Sequence, residues 1–252
     1  MSVQLPEYPR TLHLGDSGGG RSKHACTFEE VAGYHLVVEE KVDGSHCGLC
    51  FDAQAELRIF SRNTVLESPP KRADFHLLDS LAHAWLDELW EVLGDRYVLY
   101  GEWAQVAHSV YYDALPGFFL EDDIYDREAG RFLSTPRRAA LVERLPAEFA
   151  CSVAVLHRGS LASLGELHAL VGRSRYKSSA WRQRCAQLEV VEDSDLMEGL
   201  YIKQEDPDFV LRRLKWIRPA FLAHIAGAKG HWRARASLLN RLADSSIPPP
   251  PE

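Results

Sequence analysis

The sequence predicts an α+β fold of largely antiparallel sheets with flanking helices. Short apolar segments of strand character recur along the chain, and helical segments lie between them at irregular intervals. The pattern lacks the regular βαβ alternation that is typical of parallel sheets. With 46% hydrophobic residues among 252, the chain can bury a large core. We therefore expect one large domain with a small appendage.

The predicted strands are short apolar runs. The first carries Leu36, Val37 and Val38, and the fifth ends in a cluster of acidic residues. The predicted strands are residues 34–40, 45–51, 57–61, 97–102, 118–124, 199–203 and 210–216.

The clearest predicted helix runs from Asp74 to Leu93. Its large apolar residues recur at helical spacing, and Gly94 is placed to end it. Thr135 and Pro136 resemble a cap and a first-turn proline at the start of the next helix. The other predicted helices are residues 135–145, 161–171, 178–188 and 219–243, and the proline-rich residues 245–252 are expected to be disordered.

Composition argues against several classes of protein. No apolar run approaches the roughly 20 residues that span a bilayer, and Met1 to Arg10 has no signal-peptide character. We therefore expect a soluble cytoplasmic protein with no membrane partner. The sequence does not indicate a protein partner.

The five cysteines indicate neither disulfides nor a metal site. An odd count without a secretory signal argues against a disulfide framework. Cys47 and Cys50 form a Cys-x-x-Cys pair, but a second pair at zinc-like spacing is missing. On a strand the two side chains would face opposite ways. We interpret them as ordinary strand cysteines.

The charge is unevenly distributed. The net charge of −7 argues against a nucleic-acid partner, yet residues 171–241 contain 14 basic and 8 acidic residues. A basic region of this kind can follow a phosphate backbone, and solvated helix faces are the alternative.

The segment Glu40-Lys41-Val42-Asp43-Gly44 lies where one predicted strand ends and the next begins. A lysine there can be held at the mouth of a pocket between sheets. It becomes a nucleophile when burial or neighbouring cations lower its pKa. Gly44 allows a sharp backbone turn beside a ligand. Taken alone, the pattern more often marks a surface turn between strands.

Further charged motifs follow in a set order on the predicted strands. A phosphate and metal site that is assembled from a sheet needs charged groups at strand ends, widely separated in sequence. The motifs are Ser61-Arg62-Asn63, Gly101-Glu102-Trp103, the acidic strand at 118–126, Glu198-Gly199-Leu200-Tyr201-Ile202-Lys203 and Arg213-Leu214-Lys215-Trp216.

This order of motifs, from Glu40 to Lys215, resembles the covalent nucleotidyltransferase superfamily, which contains the ATP-dependent DNA and RNA ligases and the mRNA capping enzymes. Within it, the chain resembles the RNA ligases, particularly the bacteriophage RNA ligase 2 group and its small bacterial relatives. The resemblance implies the nucleotidyltransferase (ATP-grasp-like) fold. It also implies an ATP-dependent RNA ligase that joins 5′-phosphate and 3′-hydroxyl ends of RNA.

The resemblance implies a role for each motif residue. Lys41 would form the lysyl-AMP bond, Glu40 would help to recognise adenine, and Glu102 would bind the ribose. Arg62 would contact the nucleotide and later the RNA end. Glu198 would bind the catalytic Mg²⁺, for which Mn²⁺ is an alternative.

Two further lysines, Lys203 and Lys215, match those that grip the α-phosphate and orient the pyrophosphate. These lysines, together with Mg²⁺, would also lower the pKa of Lys41. The residues that we predict to bind nucleic acid are His46, Arg62, Arg213 and Arg218.

The chain departs from the family pattern at the position that stacks on adenine. Relatives place a phenylalanine directly before an aspartate, whereas here Asp122 precedes Asp123. The nearest aromatic residues are Phe118 and Phe119, and we take Phe119 as the candidate for this role.

The length of the chain after the last motif favours an RNA ligase. DNA ligases and capping enzymes normally carry an OB-fold domain there, and residues 216–252 are too few for one. The predicted organisation is an adenylyltransferase domain at 1–218, a helical extension at 219–244 and a tail at 245–252. A nick-sealing DNA ligase and a non-catalytic nucleic-acid-binding module of the same fold are the alternatives.

Overall fold

The computed structural model describes residues 8–15, 25–62, 64–186, 188, 191–227 and 238–243. Within these ranges the strands are β1 (Leu12–Leu14), β2 (Ala25–Cys26), β3 (Leu36–Lys41), β4 (Ser45–Phe51), β5 (Leu57–Ser61), β6 (Thr64–Val65), β7 (Tyr97–Trp103), β8 (Phe119–Asp126), β9 (Arg131–Phe132), β10 (Ala150–Ser152), β11 (Val155–Gly159), β12 (Gly199–Glu205) and β13 (Val210–Ile217). The α-helices are α1 (His76–Ala84), α2 (Leu86–Leu93), α3 (Thr135–Val142), α4 (Leu164–Ala169), α5 (Trp181–Cys185) and α6 (Pro219–Gly227).

The strands form two sheets. In the first sheet the order is β11-β3-β12-β13-β1-β2, and in the second it is β10-β8-β7-β4-β5-β6 with β9 beside β8. Most neighbours are antiparallel, and the parallel pairs lie at sheet edges, where β1 joins β13 and β2 and where β10 joins β8. The predicted fold class is confirmed: mixed α and β structure, mainly antiparallel sheets, and a short helix near the C-terminus.

The outer face of each sheet is apolar and is covered. Leu49 and Leu99 of the second sheet pack with Leu78 and Leu89 from α1 and α2. On the first sheet, residues such as Val38 of β3 pack with α4 in a separate cluster. A fully buried leucine contributes roughly 1.5–3 kcal/mol through loss of its apolar surface to water. These outer faces therefore hold the helices in place and leave the inner faces to meet each other.

The inner faces meet through buried charges. Arg138 pairs with Glu39 and Glu121, Lys203 pairs with Glu39 and Asp123, and Arg213 pairs with Asp123. We call Glu39, Glu121, Asp123, Arg138, Lys203 and Arg213 the inter-sheet network. Its members have at most 9% of their surface exposed, so each charge depends on its partners for stabilisation.

Several elements differ from their predicted form. The helix predicted at 74–93 divides at Trp85, whose backbone (φ −112°, ψ 30°) leaves the helical region between α1 and α2. Six strands were not predicted: β1, β2, β6, β9, β10 and β11. All except β11 have only two or three residues, which give too little pattern. Cys47 and Cys50 do face opposite ways on β4, into different clusters, as predicted.

The helix predicted at 219–243 is only partly correct. It ends at Gly227 within the described residues, and 238–243 are extended. This segment pairs with the loop after β7, through isolated bridges from Leu239 to Val106 and from Leu242 to Leu115. The Asn240 side chain fixes it there by accepting from Tyr112 N at 2.8 Å and donating to Ala104 O at 2.8 Å. The tail predicted at 245–252 lies outside the described residues.

Candidate active site

A cavity of about 660 Å³ opens between the two sheets, at the edge where β3 leads into β4. Carboxylates and cationic side chains line it together. The lining residues are Tyr8, Pro9, Arg10, Thr11, His13, Glu40, Lys41, Val42, Gly44, His46, Arg62, Glu102, Asp122, Val153, Tyr201 and Lys215.

Lys41 is the last residue of β3 and lies opposite Gly199 of β12. Its Nζ pairs with Glu198 Oε1 at 2.8 Å, and 23% of its side-chain surface is exposed, compared with 5% for Glu198. The amine is therefore held at the wall of the cavity while remaining open to a ligand.

The electrostatics of Lys41 differ from the prediction. Burial lowers its pKa, but the carboxylates of Glu198, Glu102 and Asp43 outweigh burial and raise the pKa above its usual value. The expectation that neighbouring cations lower it is wrong for the unliganded protein. The raised pKa favours the protonated amine, and Lys41 must lose its proton before it can act as a nucleophile.

Glu40 points away from Lys41 and is held by the segment that precedes α5. Its carboxylate accepts from the Ser174 hydroxyl and from Arg175 N, the latter at 2.8 Å. Burial raises the pKa of Glu40 to about 7, although both hydrogen bonds oppose the shift. A group that is hydrogen-bonded in this way lies in a fixed place at the inner end of the cavity.

Asp43 and Gly44 fix the turn between the sheets. Asp43 Oδ2 accepts from Ser109 N at 2.7 Å and from Val110 N at 2.9 Å, which ties the turn to the loop after β7. A Cβ atom on Gly44 would lie 2.9 Å from Trp103 O and 3.3 Å from Glu102 Oε2. Only glycine therefore allows Glu102 to approach the turn this closely.

Arg62 reaches the cavity from the turn between β5 and β6, where Ser61 pairs with Thr64. Its φ of +55° is left-handed, a conformation that costs a non-glycine residue roughly 1–2 kcal/mol. Arg62 N donates to His46 O at 3.2 Å and holds this conformation in place. Backbone strain of this kind is concentrated at functional sites.

Part of the cavity wall comes from residues 8–11 and 13, which the sequence did not indicate. The Tyr8 ring packs 4.2 Å from His46, and its hydroxyl donates to Asp123 Oδ2 at 2.7 Å. No motif marks Tyr8, Arg10, Thr11 or His13. Their position follows from the parallel pairing of β1 with β13, which a three-residue strand does not reveal.

Two predicted phosphate or nucleic-acid contacts lie instead in the inter-sheet network. Lys203 is fully buried and lies 3.0 Å from Glu39 Oε2 and 3.2 Å from Asp123 Oδ1. Arg213 pairs with Asp123 and stacks over the Tyr8 ring at 4.2 Å. Alternation on β13 puts Arg213 and Lys215 on one face, as predicted, but only Lys215 lines the cavity.

Two other side chains, predicted to contact the nucleotide or the nucleic acid, are buried in the protein instead. Phe119 is fully buried and stacks on Phe149 at 5.7 Å, so its ring is unavailable to a nucleotide. Arg218 is 6% exposed, and both oxygens of Glu192 accept hydrogen bonds from it. These side chains are structural in this fold, and the rings that line the cavity are those of Tyr8, His13, His46 and Tyr201.

A comparison with protein families matches residues 34–217 to the RNA ligase family. The match covers well over half of the 252 residues. The chain belongs to the RNA ligase family.

Solved RNA ligases share this fold. A ligand-free mutant of Naegleria gruberi RNA ligase is 22% identical over 77% of this chain and 52% of that chain, with a TM-score of 0.54. A mutant with ATP and Mn is 21% identical over 78% and 53%, with a TM-score of 0.53. A mutant with AMP and Mn is 19% identical over 77% and 53%, with a TM-score of 0.54.

This member of the RNA ligase family spans about half the length of the solved relatives that it matches. At these identities the likeness shows the fold. No curated protein matches the chain. Within the described residues, no helix has the length and apolarity required to cross a membrane.

The acidic side of the RNA ligase cavity fits a divalent cation. Glu198 Oε2, Glu102 Oε2 and Asp122 Oδ1 are buried and have no hydrogen-bond partner among the described residues. Burial raises the pKa of Glu198 to about 7, and burial with the neighbouring Asp123 raises the pKa of Asp122 to about 8. The described residues contain no group of three or more His, Cys, Asp or Glu side chains that could hold a metal ion by themselves. Mg²⁺ usually binds one or two protein carboxylates together with phosphate oxygens and water, and Glu198 fits it as part of such a shared site.

Proposed function

We propose that the protein is an ATP-dependent RNA ligase that joins 5′-phosphate and 3′-hydroxyl ends of RNA. Membership of the RNA ligase family supports this function. The observation that carries the proposal is the position of Lys41, which lines a cavity shared with Glu40, Arg62, Glu102 and Lys215 and pairs with Glu198. These residues were predicted to meet, although up to 175 residues separate them in sequence.

In the first step, Lys41 Nζ attacks the α-phosphorus of ATP. A P–N bond forms, the bond to the bridging oxygen of the β-phosphate breaks, and pyrophosphate leaves with that electron pair. Lys215 and Arg62 lie where they can neutralise the charge on the phosphate oxygens. Glu102 offers an unpartnered oxygen to the ribose, and Glu40, which also lines the cavity, is assigned to adenine.

Lys41 must be deprotonated for this attack, and Glu198 controls its charge. A bound Mg²⁺ or Mn²⁺ would neutralise charge on the phosphates and stabilise the leaving group. Glu198 would hold that cation, because its Oε2 has no hydrogen-bond partner among the described residues while its Oε1 pairs with Lys41. With its charge shared in this way, Glu198 would attract the Lys41 proton less strongly, and the amine would release that proton to solvent before the attack.

In the second step, the 5′-phosphate oxygen of RNA attacks the phosphorus of lysyl-AMP, and Lys41 leaves as the amine. In the third, the 3′-hydroxyl attacks the 5′-phosphate, a phosphodiester forms, and AMP leaves. Arg62 is exposed at the cavity and can contact the RNA end in both steps. We assign the adenylyltransferase domain to residues 1–218 and an extension to 219–244, with α6 at its start.

The direct test is incubation of the full chain with ATP that is radiolabelled at the α-phosphate, together with Mg²⁺. The wild-type protein should become labelled, and the label should be absent from Lys41→Ala and from Lys41→Arg. Equal labelling of the Lys41→Ala protein would overturn the assignment. Running the same assay with labelled GTP determines the nucleotide.

A second assay identifies the polynucleotide. The purified protein is given 5′-phosphorylated single-stranded RNA, a nicked RNA duplex or a nicked DNA duplex. We expect joining of RNA ends. Joining confined to all-DNA nicks would instead establish a nick-sealing DNA ligase.

A further inference from the structure

We propose that residues 8–13 form a phosphate-binding wall of the cavity and that Arg10 binds the β- and γ-phosphates of ATP, and then the leaving pyrophosphate. This inference rests on the proposed function, because it names the subsite that receives the leaving group. Arg10 belongs to none of the motifs that identify the family.

The segment is fixed at its N-terminal end. The Tyr8 hydroxyl donates to Asp123 Oδ2 at 2.7 Å and lies 3.0 Å from the Tyr201 hydroxyl. Arg213 stacks over the Tyr8 ring at 4.2 Å and donates to Pro9 O at 3.3 Å. Tyr8 and Pro9 are therefore tied to both sheets at the inner end of the cavity.

The segment is also fixed at its C-terminal end. In the parallel pairing of β1 with β13, Leu12 lies beside Leu214 and His13 lies beside Lys215. With residues 8–9 and 12–13 both anchored, Arg10 and Thr11 have little freedom and must line the cavity between them. The contacts on both sides of Arg10 therefore fix the position of its backbone.

Four cationic side chains line the cavity. Arg10, Arg62, Lys41 and Lys215 do so together with the carboxylates of Glu40, Glu102 and Asp122. Burial lowers the pKa of Lys215, and repulsion from Lys41, Arg10 and Arg62 lowers it further, while Glu198 opposes the shift. Neither Arg10 nor Arg62 forms an ion pair with a residue that the structure describes, and both side chains are exposed. Clustered cations of this kind suit a polyanion.

The order of the strands puts Arg10 on the side of the leaving group. The first sheet runs β3-β12-β13-β1, with Lys41 on β3, Lys215 on β13 and Arg10 just before β1. Phosphoryl transfer requires the nucleophile and the leaving group to be roughly in line on opposite sides of the phosphorus. If the ATP triphosphate lies along the first sheet from Lys41, the pyrophosphate leaves across β12, toward β13 and β1, where Lys215 and Arg10 line the cavity. Three strand spacings of roughly 4.8 Å separate β3 from β1, which leaves room for a triphosphate chain.

Arginine suits this subsite chemically. Its planar guanidinium can donate two parallel hydrogen bonds to the oxygens of one phosphate or bridge two phosphates. Because the contact is made at the mouth of the cavity, Arg10 can help to stabilise the charge that develops on pyrophosphate and still release it to solvent.

The test compares two reactions in the wild-type protein, Arg10→Ala and Arg10→Lys. The first is a single turnover of self-adenylylation with labelled ATP, which releases pyrophosphate. The second is sealing of pre-adenylylated RNA, in which no pyrophosphate forms. Arg10→Ala should slow the first about tenfold to a hundredfold, as expected for loss of hydrogen bonds to a charged group, and leave the second unchanged. Arg10→Lys should restore part of the first rate.

The control variant separates a contact with pyrophosphate from a general loss of positive charge. Arg182→Ala removes an exposed arginine that pairs with Asp195 outside the cavity, and it should change neither reaction. A loss in Arg10→Ala confined to the sealing of pre-adenylylated RNA would place Arg10 on the RNA end and overturn the proposal. No change in either reaction would overturn it as well.

A binding measurement keeps the proposal independent of the proposed function. Pyrophosphate should raise the melting temperature of the wild-type protein, and Arg10→Ala should lose most of that shift. If the wild type fails to become labelled by ATP but shows this difference, the ligase function fails and the anion subsite stands. If pyrophosphate shifts both proteins equally, the Arg10 assignment fails.

Discussion

The inter-sheet network and the cavity around Lys41 contain the same kinds of charged side chain, but they differ in how those charges are satisfied. In the network, Asp123 is paired with Lys203 and Arg213, and these cations outweigh burial and lower its pKa. In the cavity, Glu102 Oε2 and Glu198 Oε2 are buried with neither a hydrogen-bond partner nor an ion-pair partner among the described residues. Glu39 Oε2 and Asp123 Oδ1 of the network also lack a hydrogen bond, but each lies within ion-pair distance of Lys203.

This difference separates stability from function. Charges that satisfy one another hold the two sheets in register. Carboxylates without partners raise the free energy of the unliganded protein, and a ligand or cation that satisfies them recovers that free energy on binding. Lys41 belongs to the cavity, whereas Glu39, two residues earlier, belongs to the inter-sheet network. Both lie on β3, which ends at the cavity.

The largest expected effect comes from breaking the network at Lys203. Replacement by Met leaves Glu39 and Asp123 with one buried partner fewer each, and loss of one member of a buried pair typically costs about 3–5 kcal/mol. We expect Lys203→Met to lower the free energy of unfolding by this amount, measured by urea denaturation.

Lys203 also distinguishes the structural from the catalytic role. Had it gripped the α-phosphate, its loss would impair adenylylation and leave stability nearly unchanged. A stability loss below about 1 kcal/mol, the size typical of an exposed ion pair, together with a large loss of labelling would therefore contradict the position of Lys203 in the network. Arg138→Met, which removes another member of the network, should resemble Lys203→Met.

The second effect concerns Glu198 in the cavity. Glu198→Gln keeps the shape of the side chain and removes the charge that pairs with Lys41 and fits a metal. We expect a loss of roughly a hundredfold to a thousandfold in the single-turnover rate of adenylylation, comparable to loss of one preorganised electrostatic contact. Stability should hold or rise, because burial outweighs the pairing with Lys41 and raises the pKa of Glu198 to about 7, so the fold disfavours the charge that the substitution removes. A clear fall in the melting temperature would place Glu198 among the stabilising charges instead.

A smaller effect is expected from Gly44, which lies in the turn between β3 and β4. A methyl group at this position meets Trp103 O at 2.9 Å, so Gly44→Ala must shift the turn or Glu102. Displacements of about 1 Å in an active site can cost about a hundredfold in rate, and we expect up to that loss. Gly172→Ala is the matched control, because a Cβ there has nothing within 4 Å. Equal rates of adenylylation for Gly44→Ala and Gly172→Ala would show that the turn at Gly44 tolerates a methyl group.

The smallest effect is the response to pH. Since the pKa of Lys41 is raised in the unliganded protein, the protonated form dominates at neutral pH, and the neutral fraction grows as the pH rises. The rate of adenylylation should therefore increase with pH, by at most about tenfold per unit. A rate that falls as the pH is raised above neutral, with the fold intact by circular dichroism, would contradict this sign.

The sequence predicted the part of the fold and site that motifs mark. Strands β4 and β5 have their predicted bounds, and Lys41, Glu40, Arg62, Glu102, His46 and Lys215 line one cavity as predicted. Alternation along a strand predicts the face on which a side chain lies, but it does not predict how deeply that side chain is buried. Lys203 and Arg213 share the inner face with cavity residues, and they lie deeper, among carboxylates of the opposite sheet.

Other features could not be read from the sequence because they depend on pairing between distant segments. Strand β1 has three residues, and its parallel contact with β13 brings Tyr8 and Arg10 to the cavity. The segment 238–243 carries no strand pattern of its own, and Asn240 fixes it through hydrogen bonds to the backbone of the loop after β7. The position of Phe119 was wrong because an aromatic residue beside an acidic strand is equally consistent with the core.

The most direct test is to map the covalent intermediate. The protein is labelled with ATP and Mg²⁺, digested, and the AMP-bearing peptide is identified by mass spectrometry. We predict a single modified residue, Lys41, with a P–N linkage that is labile in acid and stable in base. AMP on another residue, or a protein that binds ATP without ever becoming modified, would contradict the role of Lys41 as the nucleophile.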